Sequence, residues 1–329
     1  MSFVQSIFLL GATGYIGGSL LVTLLKEYPS ATISALVRNS QSAEAVKSVS
    51  PDRINIIVGS QSDSTIIEAE VEKADITINA ANCDDMDLTN NIINGGSAVI
   101  LADDPKGPFL GKINERGSKV WDDTKTEDLR AIPLSALHRT VDIAVLDAHD
   151  SGVLDAYIIC PGLIYGPGIG PVKTTSIQIP LLLQLALRRR QVFFAGEGTN
   201  IWCNIHLQDL LRLYTHVIAH ALTIIGSTTK VDAYNNYYFA ASSENPIKEI
   251  TELIAATLHA KGLVDSPHAQ GLAPEDPEEK LLSMVLGHTS RAVSVRAKGL
   301  GWSPKEKKIV ESGVMEGEVE NILNTAKTT

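Results

Sequence analysis

The sequence predicts an α/β fold: a doubly wound parallel sheet with a smaller, mostly helical C-terminal lobe. Three observations carry that expectation. The apolar run Ile7-Phe8-Leu9-Leu10 breaks at Gly11, and Ile16, Leu20 and Leu24 then recur at helical spacing. Glycines at 11, 14 and 17 fall between that strand and that helix. Further short apolar runs then alternate with helix-length segments through the first half of the chain, as parallel strands joined by crossovers require. With 329 residues, 44% of them hydrophobic, the chain can bury one large core or two modest ones.

In a strand–turn–helix unit, glycines at 11, 14 and 17 permit a tight turn, close backbone approach to a pyrophosphate, and close helix–strand packing. The phosphate would rest on amides at the helix N-terminus, where the dipole favours an anion. Gly11, Thr13, Gly14, Tyr15, Ile16 and Gly17 are therefore candidate dinucleotide-binding residues. The spacing Gly-x-x-Gly-x-x-Gly resembles that of the short-chain dehydrogenase/reductase superfamily, especially its extended and atypical branches, which include NAD-dependent epimerases/dehydratases and NmrA-like proteins. The resemblance implies a Rossmann-like sheet over residues 1–165, with 200–243 returning to it. Residues 166–199 and 244–329 would then form the substrate lobe.

A second strand is expected over 31–37, with Arg38 at its end. An acidic residue near this position would bind the ribose hydroxyls of NAD, whereas an arginine suits the extra phosphate of NADP. NADP(H) is thus the expected cofactor, with NAD(H) the alternative. A third strand over 54–58 ends at Gly59. The aspartate that often follows in the superfamily is replaced by Ser60, leaving Asp63 as a substitute contact to adenine. The stretch 74–82 resembles the fourth strand and the Asn79-Ala80-Ala81 turn that lines the cofactor. The next crossover reads as shortened. If Ile92 and Ile93 belong to the fifth strand, almost no helix remains before it; if the strand is 98–101, a short helix fits. Ser97 is the counterpart of the serine or threonine that relatives carry after this strand.

Residues 103–130 read as a polar surface excursion, and 133–149 as a helix with Leu137, Val141, Ala144 and Ala148 on its apolar face. The phase places Arg139 away from the interior. Next, Pro161-Gly162-Leu163-Ile164-Tyr165-Gly166-Pro167 resembles the sixth-strand exit of extended members, and Pro161 and Leu163 join the expected cofactor contacts. A lobe helix over 176–190 ends in Arg188-Arg189-Arg190, cations suited to a helix C-terminus. The stretch 200–210 resembles the family's Val-His-x-x-Asp-Leu element, in which His206 is structural. A late strand over 231–240, a helix over 249–261, a mobile loop over 266–279 and the Leu300-Gly301-Trp302-Ser303-Pro304 segment complete the chain.

The family's engine is Tyr-x-x-x-Lys on a helix. Counting back from the Pro161–Gly166 segment, the matching positions are His138 and Asp142. Histidine exchanges a proton near neutral pH without the large pKa depression that a tyrosine needs. The expectation is His138 as general acid/base, with Asp142 orienting it or binding ribose. Three functions follow: an NADP(H)-dependent oxidoreductase of a small carbonyl, alcohol or imine; an NmrA-like cofactor-sensing regulatory binder; or a non-redox isomerase, cyclase or dehydratase in the same cleft. The formal net charge of −10 argues against a nucleic-acid binder. No apolar run approaches membrane-spanning length. Cys83, Cys160 and Cys203 are scattered, without metal-ligand spacing, as expected of thiols in a reducing cytoplasm. A homodimer through two sheet-flanking helices is common among relatives.

Overall fold

A computed structural model describes residues 4–82, 84–93, 119–134, 136, 138–224, 231–272 and 275–328. The opening apolar run forms β1 (Ser6–Leu10), in which every residue but Ser6 is buried, as a central parallel strand demands. With β2 (Thr32–Val37), β3 (Ile54–Val58) and β4 (Ile76–Asn79) it makes a parallel sheet in the order β3-β2-β1-β4. The chain therefore moves outward from β1 through β2 to β3, then returns to the other side of β1. That reversal opens a crevice between β1 and β4 at the C-terminal edge of the sheet, where doubly wound folds bind ligands.

The helices α1 (Tyr15–Glu27), α2 (Ser40–Ser48) and α3 (Ser64–Lys73) are the crossovers. Leu20, Leu21 and Leu24 of α1 enter the core beneath β1 and β2. Asn39 starts α2 by accepting the Ser42 amide at 2.9 Å, a cap of ordinary kind. After β4 comes α4 (Met86–Ile92), capped by Asp85, whose carboxylate accepts the Leu88 amide at 2.9 Å. Leu88 and Ile92 pack with Phe8, Leu10 and Ile67. Ile92 thus ends a two-turn helix, and its place in a fifth strand is corrected: the cap and the 88/92 apolar spacing suit a helix. The alternative strand at 98–101, and Ser97, lie outside the described residues.

Beyond these come β5 (Trp121–Asp122), α5 (Thr126–Arg130), α6 (Arg139–Asp150), β6 (Ile158–Pro161) and β7 (Leu163–Tyr165). The lobe contributes α7 (Gln178–Arg189) and β8 (Phe193–Phe194), followed by β9 (Ile201–His206) and α8 (Leu207–Ile224). A 3-10 turn (Ala233–Asn236) leads into β10 (Tyr237–Ala240), which pairs in parallel with β6. Next, β11 (Ser243–Pro246) runs antiparallel to β9, and β9 runs parallel to β7. The chain ends with α9 (Ile247–Ala260), β12 (Gln270–Gly271), α10 (Glu279–Leu286), β13 (Ala292–Val293), α11 (Val295–Gly299) and α12 (Val314–Thr328).

Leu182, Ile254 and Val319 bring α7, α9 and α12 into one lobe core. The arginine triplet does more than suit a helix dipole. Arg188 pairs with Glu278 at 2.7 Å, Arg189 with Asp276 at 2.5 Å and Arg190 with Asp265 at 2.7 Å. With β12 paired to β8, these bonds tie the strap of 265–272 and 275–278 to the lobe, where the sequence suggested a mobile loop.

Candidate functional site

The glycine corner is dictated by space. Gly11 adopts φ +84°, and a Cβ there would lie 2.3 Å from the Ala80 carbonyl oxygen. A Cβ on Gly17 would lie 2.2 Å from the Gly11 carbonyl oxygen. Only glycine meets both demands, the first for backbone conformation and the second for close helix–strand packing. The Gly14 amide donates to the Gly11 carbonyl at 2.8 Å and closes the turn. Gly14 is the N-cap of α1 and supplies no side-chain cap, and no acid stands in the first helical turn. Thr13, Gly14 and Ile16 remain partly exposed. An uncapped, acid-free helix start beside a sheet crevice fits a dinucleotide phosphate.

Across the crevice the turn after β4 is shaped by Asn79, whose side-chain oxygen accepts the Ala81 amide at 3.0 Å. Ala80 and Ala81 are the residues that press on Gly11. At the neighbouring strand ends, Arg38 is exposed at the exit of β2 and has no hydrogen bond or ion pair among the described residues. Asp63, exposed beyond β3, accepts the Ser60 amide at 3.2 Å. The ends of four parallel strands thus set Gly11, Arg38, Asp63 and the Asn79-Ala80-Ala81 turn along one edge.

Tyr15 contributes to this edge through its backbone. Its side chain is buried and donates from Oη to the Gly166 carbonyl at 2.5 Å, and burial pushes its phenol far above the usual tyrosine range. Pro161 ends β6 and Leu163 begins β7, both buried. Gly162 between them is pressed against β9: a Cβ there would lie 2.2 Å from the Cys203 carbonyl oxygen.

The expected helix carrying His138 and Asp142 is corrected in start and in phase. α6 begins at Arg139, and His138 is its N-cap, in the left-handed region at φ 65°. The buried face runs through Arg139, Val141, Asp142, Val145 and Leu146, so Ala144 and Ala148 lie at its border. Leu137 lies outside the described residues. Arg139, expected to point outward, is 1% exposed. It donates from Nη2 to the Leu129 carbonyl and to Tyr234 Oη, both at 2.9 Å. Asp142 is wholly buried and accepts from Tyr237 Oη at 3.2 Å, and Tyr237 is held well above the ordinary phenol range by burial and by that carboxylate. The ring of His138 instead meets Asp84, through Nδ1 and Oδ1. His138 is therefore tied to the segment that follows the Asn79-Ala80-Ala81 turn, and Asp142 is turned into the core.

The model of the NmrA-like family matches residues 4–102. An oxidase, ucsJ, from an Acremonium species is 26% identical over 91% of this chain and 93% of its own length. The uncharacterized protein YLL056C of Saccharomyces cerevisiae is 24% identical over 93% of this chain and 97% of its own. Among solved structures, the dTDP-glucose 4,6-dehydratase DesIV from Streptomyces venezuelae, with NAD and TYD bound, superposes with a TM-score of 0.67 at 17% identity, covering 98% of both chains. The UDP-glucose 4-epimerase from Thermotoga maritima superposes at 0.62 and 14% identity, over 98% of this chain and 100% of that one. The fold is that of the NAD-dependent epimerases and dehydratases.

Within this epimerase/dehydratase fold, two residues near the corner escaped the sequence reading. Asp84 follows the Asn79-Ala80-Ala81 turn closely, and because Asp85 supplies the α4 cap, Asp84 was the acid left over. Glu318 lies on the same helical face as Met315, Val319 and Ile322, so the spacing of α12 already assigns it to the interior. It is 3% exposed and accepts the Gly166 amide at 2.8 Å. Tyr15 and Glu318 thus grip Gly166 from the glycine corner and from the terminal helix. Among the described residues no helix is long and apolar enough to cross a membrane, and no cluster of His, Cys, Asp or Glu could hold a metal.

Proposed function

We propose that this chain binds a nicotinamide dinucleotide, NADP(H) in preference to NAD(H), and uses it to oxidise or reduce a small carbonyl, alcohol or imine in the cytoplasm. The observation that carries the reading is the glycine corner: an open helix start, packed on the Ala80-Ala81 turn, at the crevice between β1 and β4. Gly11 to Gly17 would hold the pyrophosphate on backbone amides, and Arg38 would hold the extra phosphate of NADP. Asp63 and Asn79 to Ala81 would border the adenosine and the nicotinamide half, with the backbone of Pro161 and Leu163 further along. The bound dinucleotides in structures of this fold and the oxidase among the relatives support the reading. A homodimer is the assembly expected with it.

When bound, the dinucleotide supplies or accepts a hydride. The chain's own part is the proton. In the oxidising direction the substrate hydroxyl gives its proton to the His138 imidazole while the carbon loses hydride and the C=O bond forms; reduction reverses both transfers. Asp142, buried against Tyr237, supports the start of α6 in this reading.

Calorimetry tests the proposal. NADPH should bind more tightly than NADH, and Arg38→Ala should weaken NADPH roughly 10- to 100-fold, the worth of one charge-assisted contact, while leaving NADH unchanged. Absence of binding of either nucleotide at millimolar concentration to folded protein would overturn it. The NmrA-like match over residues 4–102 favours a second reading, a cofactor-sensing binder. That protein would bind NADPH yet turn over nothing across a broad carbonyl panel.

A further inference from the structure

We propose that Asp84 is the positioning residue for His138, fixing which ring nitrogen carries the proton. The inference rests on the proton-transfer role given to His138 above. Asp84 and His138 lie 54 residues apart in sequence, yet Oδ1 of one meets Nδ1 of the other. The histidine side chain is 10% exposed and the aspartate 52%, so the pair joins the protein interior to its surface.

The backbone at His138 shows that this contact is not incidental. A helix N-cap is ordinarily a short polar residue in an extended conformation that accepts an amide with its side chain. His138 is left-handed, at φ 65° and ψ −6°, and makes no side-chain cap bond. Only its carbonyl serves the helix, accepting the Val141 and Asp142 amides at 3.1 Å. A left-handed backbone is strained for a residue with a side chain, and such strain persists where the surroundings over-determine it, commonly at functional sites. An ion pair with a half-exposed carboxylate is weak and does not by itself account for the strain. The strained turn instead releases the ring from capping and aims it at the β4 exit.

Asp84 is itself held in place. Its amide donates to the Asn82 side-chain oxygen at 3.2 Å, an Asx turn, and Asp85 takes over the capping of α4. A carboxylate on Nδ1 keeps the proton there and leaves the lone pair on Nε2, the tautomer needed to accept a substrate proton. Asp84 thus does the work that the sequence assigned to Asp142.

The test reads the ring directly. In protein labelled with 15N-histidine, His138→Gln identifies the His138 signals among those of the eight histidines. At pH 8 the wild type should show a protonated Nδ1 and an unprotonated Nε2. Asp84→Ala should shift the ring towards the opposite tautomer, and Asp84→Asn, which keeps an oxygen acceptor, should retain the wild-type pattern. Unchanged thermal melting shows that the variants fold. With a carbonyl that turns over, Asp84→Ala should lower kcat at least tenfold while NADPH affinity stays within twofold. An Asp84→Ala spectrum identical to wild type overturns the proposal. A shifted tautomer in a protein that binds no NADPH upholds the Asp84–His138 pairing and refutes the cofactor reading instead.

Discussion

Replacing Glu318 by glutamine should remove a pH-dependent weakness from the fold. One carboxylate oxygen accepts the Gly166 amide, but Oε1 is buried with no hydrogen-bond partner among the described residues. Burial outweighs the single amide bond and pushes the carboxyl from 4.5 up to about 6. The folded state therefore holds the proton more tightly than the unfolded chain does. Below the unfolded value of 4.5 the group is protonated in both states and costs nothing through ionisation. As pH rises through 6 the folded protein must bury a charge, and stability falls. A shift from 4.5 to about 6 corresponds to roughly 2 kcal/mol, reached in full above about pH 7. Glutamine keeps an oxygen for the Gly166 amide and does not ionise, and its new NH2 group adds an offset that does not vary with pH. Urea unfolding of wild type and Glu318→Gln between pH 4 and pH 8 isolates the effect. The stability difference should move by about 2 kcal/mol in favour of the variant as pH rises, with the change centred between pH 4.5 and 6. Parallel curves would show that Glu318 is hydrated or paired in solution, and the grip on Gly166 would need another explanation.

The glycine corner and the lobe strap yield two more tests. Gly11→Ala should cost several kcal/mol, since it adds a left-handed penalty to a Cβ placed 2.3 Å from the Ala80 oxygen. Gly14→Ala, at φ −81° with its nearest neighbour 3.1 Å from the new Cβ, should fold nearly as stably yet lose dinucleotide affinity in calorimetry. The strap is held in part by ion pairs at the surface, individually weak and screened by salt. Arg189→Gln should barely change the melting temperature, yet both it and 0.5 M salt should speed limited proteolysis within 265–278.

The sheet and its glycine corner were legible because their causes are local. A run such as Phe8-Leu9-Leu10 that is buried on both faces must be apolar throughout, and a left-handed turn under a carbonyl must be glycine, whatever the rest of the chain does. Arg38, at the end of a strand, could likewise be placed by counting. The strap was misread for the opposite reason. Pro, Gly and acidic residues over 266–279 describe a loop, and only the folded lobe brings Asp265, Asp276 and Glu278 to Arg190, Arg189 and Arg188. A local pattern can state that a segment is irregular, but whether it is anchored depends on charges far away in sequence.

The α6 helix carries the same argument into the site. Apolar spacing put Val141, Ala144 and Ala148 inward and Arg139 outward, because alanine counts as apolar and arginine as charged. The fold keeps Val141 inside but buries Arg139 and leaves Ala144 and Ala148 half-buried at the border. A guanidinium that finds the Leu129 carbonyl, Tyr234 Oη and the Tyr234 ring at 5.5 Å can be buried, whereas small alanines lose little at the border. Rotating the helix to bury Arg139 also carries Asp142 beneath Tyr237 and away from the crevice. The proposed proton transfer needs a carboxylate to orient the ring, and His138, left-handed at the start of α6, meets Asp84 instead. The burial of Asp142 goes with that of Arg139 one turn earlier, where its partners are, and a sequence pattern scored one residue at a time cannot register it.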